Sequence, residues 1–240
     1  AEAFTVFDRL LEERGCTYES AGAIRDGRRV WILARIPEAM QVRDDTISRY
    51  FLLVLSHDGP LPLILKPTPI RVVCTTTLNL ALRDRANQFA VRHLRGMRER
   101  LREVTDAIVA SELNFEKARE QMERMAEYRI HDPATFFFSV MPDLRRWNDP
   151  TLQRNAWRKR FLRLTDLFHV GKGNQGHSLW DAYNAIVEWV DHDREGKEWV
   201  ESTQFGSGDR LKRRAFESAV ALTDTVARPK ISIPHSPWMN

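Results

Sequence analysis

The chain has 240 residues, of which 42% are hydrophobic, and its 37 basic and 33 acidic side chains nearly balance. This composition supports one buried core and excludes a chain that is disordered throughout. Cys16 and Cys74 lack paired spacing, which excludes a disulfide framework and a zinc ribbon. No stretch approaches the ~18 apolar residues of a bilayer span, so we expect a cytoplasmic protein without membrane contact.

The first elements are a short helix and a hairpin. Apolar residues at helical spacing before Gly15 predict a helix that ends at this glycine. Asp26-Gly27 is a favoured two-residue turn, and it predicts a hairpin whose strands cover 17–25 and 28–36.

Two more strands follow the hairpin. The run 50–55 is apolar on both faces, as expected of a central strand. The run 61–73 contains Pro67 and Pro69, which cannot donate to a neighbouring strand. We therefore predict that this fourth strand lies at an edge or is kinked.

The hydrophobic period then changes to that of helices. Hydroxyls at 75–77 favour the start of a helix that runs to about Ala86, and 89–94 favours one more short strand. A charged helix is predicted from Met97 to Tyr128, with a buried stripe formed by Leu101, Val104, Ile108, Leu113, Met122 and Met125. Three further helices are predicted through Asp166, from 180 to 190, and from 211 to 226.

This order predicts an α+β fold: an antiparallel meander of about four strands flanked by helices, with a mostly helical C-terminal half. We expect residues 1–95 to form the meander with its flanking helices. Residues 96–240 would then form a helical part that packs on it in one continuous domain.

A glycine-rich loop occupies 171–176 and matches the pattern GxGxxG. It also approaches a P-loop, except that His177 stands where the essential lysine belongs. The preceding segment reads as a charged helix, whereas both motifs require a buried strand. The loop is open to three interpretations: a plain connector, a nucleotide site, or amides that hold an anion together with Lys172.

Polar residues then recur at helical spacing along one face: His177, Asp181, Asn184, Glu188 and Asp191. The simpler interpretation is a solvated face. The alternative is a divalent cation held by Asp181 and Glu188 with Asp191 close by, as in a metal-dependent nuclease. The seven histidines offer no local signature of a catalytic triad, so we expect a binding protein without a cofactor.

Arginine clusters suggest a partner. They lie at 83–102, at 145–163, where they alternate with Trp147, Trp157 and Phe161, and at 210–214. Arginines beside aromatic rings offer phosphate contacts and stacking surfaces for single strands. The residues that we predict to contact nucleic acid are Arg92, Arg95, Arg98, Trp157, Arg158 and Lys172.

Several separated stretches also have a familiar sequence. They are 27–31, 71–79, 91–93, 173–184 and 191–192. Together they resemble a bacterial and phage family catalogued as phage/plasmid-like proteins of the domain-of-unknown-function 932 type. The resemblance implies a phage or plasmid context, in which genes of this size commonly encode replication, recombination or host-defence factors.

The order of strands and helices is also similar to that of phage single-strand annealing proteins such as Redβ, RecT and Erf, a topological analogy. The leading hypothesis is an ATP-independent protein that binds and anneals single-stranded DNA as a homo-oligomer, in a ring or filament. The alternatives are the metal-dependent nuclease and a phage-encoded interaction protein that acts on a host factor.

Overall fold

The computed structural model describes residues 8, 11–12, 14–24, 27–56, 63–71, 76–77, 89–91, 97–146, 156–193 and 206–227. The strands are β1 (Thr17–Ile24), β2 (Arg29–Arg35), β3 (Met40–Val42), β4 (Asp45–Ser56), β5 (Leu63–Arg71), β6 (Thr76–Thr77) and β7 (Phe89–Val91). The helices are α1 (Met97–Glu127), α2 (Ala134–Val140), α3 (Ala156–Val170), α4 (Leu179–Glu188) and α5 (Ser207–Ala227). A 3₁₀ turn (Pro142–Arg146) precedes α3, and a π turn (Trp189–Asp193) continues α4.

The strands form one antiparallel sheet in the order β1-β2-β4-β5-β6, with β3 on β4 and β7 on β5. The β1–β2 hairpin confirms the prediction from Asp26-Gly27, and Gly27 adopts a φ of 82° that favours glycine. The predicted central strand is confirmed as β4 and extends further toward its start. The short β3–β4 hairpin was not predicted, because it has no glycine: Arg43 occupies the left-handed region of its turn.

The pairing of β5 explains how this strand tolerates two prolines inside the sheet. On one side β5 pairs with β4 along its length, including Pro67 opposite Phe51 and Pro69 opposite Arg49. On the other side β7 pairs with the start of β5, and β6 pairs with its end. Among the described residues, the prolines thus face a gap between two partner strands, where no N–H is required. The strand that was predicted to be an edge is therefore paired on both sides at its two ends. In the part of the chain that the structure describes, it is unpaired on one side only around the prolines.

Thr76 and Thr77, which were predicted to offer hydroxyls at a helix start, form β6 against Ile70 and Arg71. The predicted helix itself lies outside the described residues, as does most of the predicted first helix. The predicted short strand at 89–94 is confirmed as Phe89–Val91.

The helical half agrees with the periodicity of the sequence. The long helix α1 is confirmed, and Met122 and Met125 are buried as predicted, but Leu113 is 63% exposed. Helix α2 was missed, although its Phe136 and Phe137 join the core. Helix α1 contacts β3, β5 and β7, and α4 contacts α1, α3 and α5. All residues of α4 are buried as a result. Within the described part of the chain, no helix is long and apolar enough to cross a membrane.

Candidate functional site

The glycine-rich loop joins α3 to α4 and already holds a carboxylate from its own chain. Asp181 Oδ1 accepts the Gln175 N–H at 3.2 Å, and its Oδ2 accepts the His177 and Ser178 N–H groups at 3.2 and 3.0 Å. The Ser178 hydroxyl donates to the same oxygen at 2.8 Å and accepts the Asp181 N–H, which completes a capping box. These three amides, of which that of Gln175 belongs to the loop, are therefore used internally.

The side chain of Asn174 ties this loop to both neighbouring helices. Its Nδ2 donates to the carbonyl oxygens of Leu167 at 2.7 Å and Asp181 at 3.2 Å. At Gly176 a Cβ atom would lie 2.5 Å from His169 Nδ1, so the close approach of the loop to α3 requires glycine there. Of the three interpretations, the structure thus favours a connector, with Lys172 exposed on it.

The polar face of α4 is buried, so the prediction of a solvated face was wrong. Exposure is 4% for Asp181, 1% for Asn184, 8% for Glu188 and 4% for Asp191. Asp191 accepts a hydrogen bond from Lys212 Nζ at 2.8 Å, and Lys212 itself is only 1% exposed. This α5 lysine belongs to the predicted 210–214 cluster, but its charge is paired with Asp191 in the interior of the protein.

These residues do not assemble into a metal centre. Over the ranges that the structure describes, His, Cys, Asp and Glu side chains do not form a group of three that could hold a metal ion. Asp181 and Asp191 are occupied by amides and by a lysine. Glu188 Oε2 and both polar side-chain atoms of Asn184 are buried and have no hydrogen-bond partner among the described residues.

A different set of charges lines an open groove of about 820 Å³ between α3 and the π turn. We call it the basic groove; it is lined by Ala156, Lys159, Arg160, Arg163, Trp189, His192 and Asp193. The spacing of Lys159, Arg160 and Arg163 places the three cations on one face of α3. Turns of the π type occur often at functional sites, and this one supplies the opposite wall.

Two contacts define the geometry of the basic groove. The guanidinium carbon of Arg160 lies 4.8 Å from the centroid of the Trp189 ring, in a cation–π contact. The Arg163 Nε and Nη2 atoms donate to the Asp193 carboxylate at 2.5 and 3.3 Å. This hydrogen bond raises the pKa of Arg163 above its ordinary value. Lys159 and His192 are exposed.

Of the residues predicted to bind nucleic acid, none that the structure describes lines the basic groove. Trp157 is half-buried and Arg158 exposed on the same helix as the basic groove, but neither lines it. Lys172 lies beyond the opposite end of α3, about 20 Å along the helix direction from Arg158. Arg92, Arg95 and the side chain of Arg98 lie outside the described residues.

The predicted cluster includes the helix of the basic groove, but the residues selected from it, Trp157 and Arg158, do not line the groove. Lys159, Arg160 and Arg163 belong to the predicted 145–163 cluster, and their i, i+3 and i, i+4 spacing was the available signal. Trp189 and His192 were missed because they sit at the end of a helix that reads as core. Nothing in the local sequence indicates that this end faces α3.

Comparison with known proteins supplies a family. A family model described as "Domain of unknown function (DUF932)" matches residues 1–229, which confirms the predicted family resemblance. No curated protein and no solved structure matches the chain. The weaker likeness to the single-strand annealing proteins is not confirmed by these comparisons.

Proposed function

The chain belongs to the DUF932 family, whose description names no activity, and we propose from the basic groove that it binds the phosphate backbone of single-stranded DNA. The observation that carries the proposal is the convergence of Lys159, Arg160 and Arg163 on one open groove with a tryptophan in its wall. Cations beside an aromatic ring are the combination that single-strand binding requires.

The direction of the three cations suits a linear polyanion. Lys159 and Arg163 are one helical turn apart, which is a rise of about 6 Å along the axis of α3. A backbone that lies along this helix therefore meets successive positive charges. A single small anion would use only part of the array.

The stacked pair of Arg160 and Trp189 adds a second kind of contact. The ring restrains the guanidinium, whose planar N–H groups match the oxygens of a phosphate. Because Trp189 is 9% exposed, Arg160 rather than the ring offers the accessible stacking surface for a base.

We further propose that the protein works without ATP and anneals strands in the cytoplasm. The glycine-rich loop gives its amides to Asp181, which supports an activity independent of ATP. The strand-then-helix order, like that of annealing proteins, supports strand annealing by a homo-oligomer in phage or plasmid recombination. Such DNA lies in the cytoplasm, where we place the protein.

The test is fluorescence anisotropy of labelled oligothymidine across a salt series. The wild-type protein should bind with a negative salt slope. The triple variant K159Q/R160Q/R163Q should lose at least about tenfold in affinity, and its salt slope should become shallower, because each phosphate contact that releases a counterion contributes ~0.7 to the slope.

A matched control removes the same charge elsewhere. The variant K117Q/R119Q/R129Q changes one lysine and two arginines outside the groove: Lys117 and Arg129 are exposed, and Arg119 is paired with Glu116 and Glu123. It should bind nearly as well as the wild type. Equal losses in the two variants, or wild-type affinity that does not depend on salt, would contradict the proposal.

A further inference from the structure

Among the described residues that line the basic groove, Asp193 is the one carboxylate, and it is hydrogen-bonded to Arg163. Asp193 accepts from two nitrogen atoms of Arg163, at 2.5 and 3.3 Å, while both residues line the groove. Resting on the proposed function, we propose that Asp193 is a resident competitor that a DNA phosphate must displace from Arg163. Asp193 thereby sets the affinity of the groove and the class of anion that it accepts.

The chemistry of the contact supports an exchange of this kind. A carboxylate presents two oxygens to the guanidinium fork, and the non-bridging oxygens of a phosphodiester do the same. The Asp193 carboxylate thus occupies the position on Arg163 that a backbone phosphate would take.

The neighbouring residues hold the π turn in place, whereas the Asp193 side chain can rotate away from Arg163. Asp191, two residues earlier in the π turn, is held by buried Lys212 of α5, and Trp189 lies against Arg160. Asp193 itself is 26% exposed and Arg163 is 46% exposed. Displacement therefore requires rotation of one side chain at the surface, with the turn held in place.

The strength of the pair determines what can displace it. An ion pair this exposed is weak, because water screens both charges. A single phosphate gains little binding free energy, because it only replaces one anion on Arg163 with another. A chain of phosphates gains the Lys159 and Arg160 contacts as well, so the groove favours polyanions and rejects small ones.

The experiment compares D193N with D166N in the oligothymidine assay. Asp166 is an exposed carboxylate one turn from Arg163 on α3, so both variants remove one negative charge near the groove. We expect D193N to bind about fivefold more tightly. Its salt slope should be steeper by ~0.7, because Arg163 then releases a counterion of its own. D166N should gain less and keep the wild-type slope.

A second pair of variants tests whether Arg163 mediates the gain. In the R163Q background, D193N should tighten binding no more than D166N does. Thermal melting checks that each variant is folded, and D193S repeats the test if D193N does not fold. The inference is overturned if D193N gains no more than D166N, or if its larger gain persists without Arg163. If the wild-type protein fails to bind oligothymidine at low salt, the proposed function falls first and this inference falls with it.

Discussion

The polar face of α4 and the basic face of α3 are both charged stripes at helical spacing, yet the structure uses them in opposite ways. On α4 the carboxylate of Asp181 caps its own helix, and Asp191 in the adjoining turn pairs with Lys212 in the interior. On α3 Lys159, Arg160 and Arg163 line a groove that is open to solvent. The first set is buried in the scaffold, and the second lies on an open groove.

The π turn connects these two regions and shows how one depends on the other. Asp191 points into the protein toward α5, while Trp189, His192 and Asp193 line the basic groove. A buried ion pair thus lies beside the wall of the basic groove. The comparison shows that residues of one short π turn can belong to the interior or to the surface, depending on whether their partners are buried.

The largest effect is expected from a substitution that breaks the buried pair of Lys212 and Asp191. Lys212→Met leaves the Asp191 carboxylate buried without its lysine, which should lower the free energy of unfolding by about 3–5 kcal/mol in urea denaturation. The exposed neighbour provides the control, since Arg213→Met should change stability little. The double variant K212M/D191L should recover most of the loss. A loss no larger than that of the control would show that the pair does not anchor the turn.

A smaller loss is expected at the glycine-rich loop. Asp181→Ala removes the acceptor of the Gln175, His177 and Ser178 amides, and should lower stability by about 2–4 kcal/mol. Amide hydrogen exchange provides a local measurement, in which the His177 and Ser178 amides should lose protection. Asp166→Ala, an exposed carboxylate on α3, is the control. Amides that stay protected would mean that another group satisfies them.

The smallest effect on stability should come from the groove itself. The K159Q/R160Q/R163Q variant should unfold within about 1 kcal/mol of the wild type, because its charges are largely exposed. Thermal melting of the same samples would separate the effect of the substitutions on stability from their effect on binding. A loss as large as that of Lys212→Met would instead make the groove cations part of the scaffold.

Much of the fold could be predicted because its signals are local. The Asp26-Gly27 turn fixes the β1–β2 hairpin, and the apolar run at 50–55 identifies β4. The β3–β4 hairpin was missed because its turn has no glycine, and Arg43 takes the left-handed conformation there.

The site was only partly predictable. The 145–163 cluster pointed to the correct helix, but the spacing of its residues does not identify which of them face another element. Arg158 and Lys159 are neighbours in sequence, and only Lys159 lines the groove. That choice depends on where the π turn packs against α3, which the local pattern does not encode.

By itself the sequence determined the periodicity of each element, and hence which residues share a face. The tertiary structure alone decided what covers each face. Helix α4 lies among α1, α3 and α5, so its polar face is buried, and Asp191 in the adjoining π turn pairs with a lysine 21 residues away. Burying a charge is costly unless it is paired, so packing turned one charged stripe into scaffold and left the other in solvent.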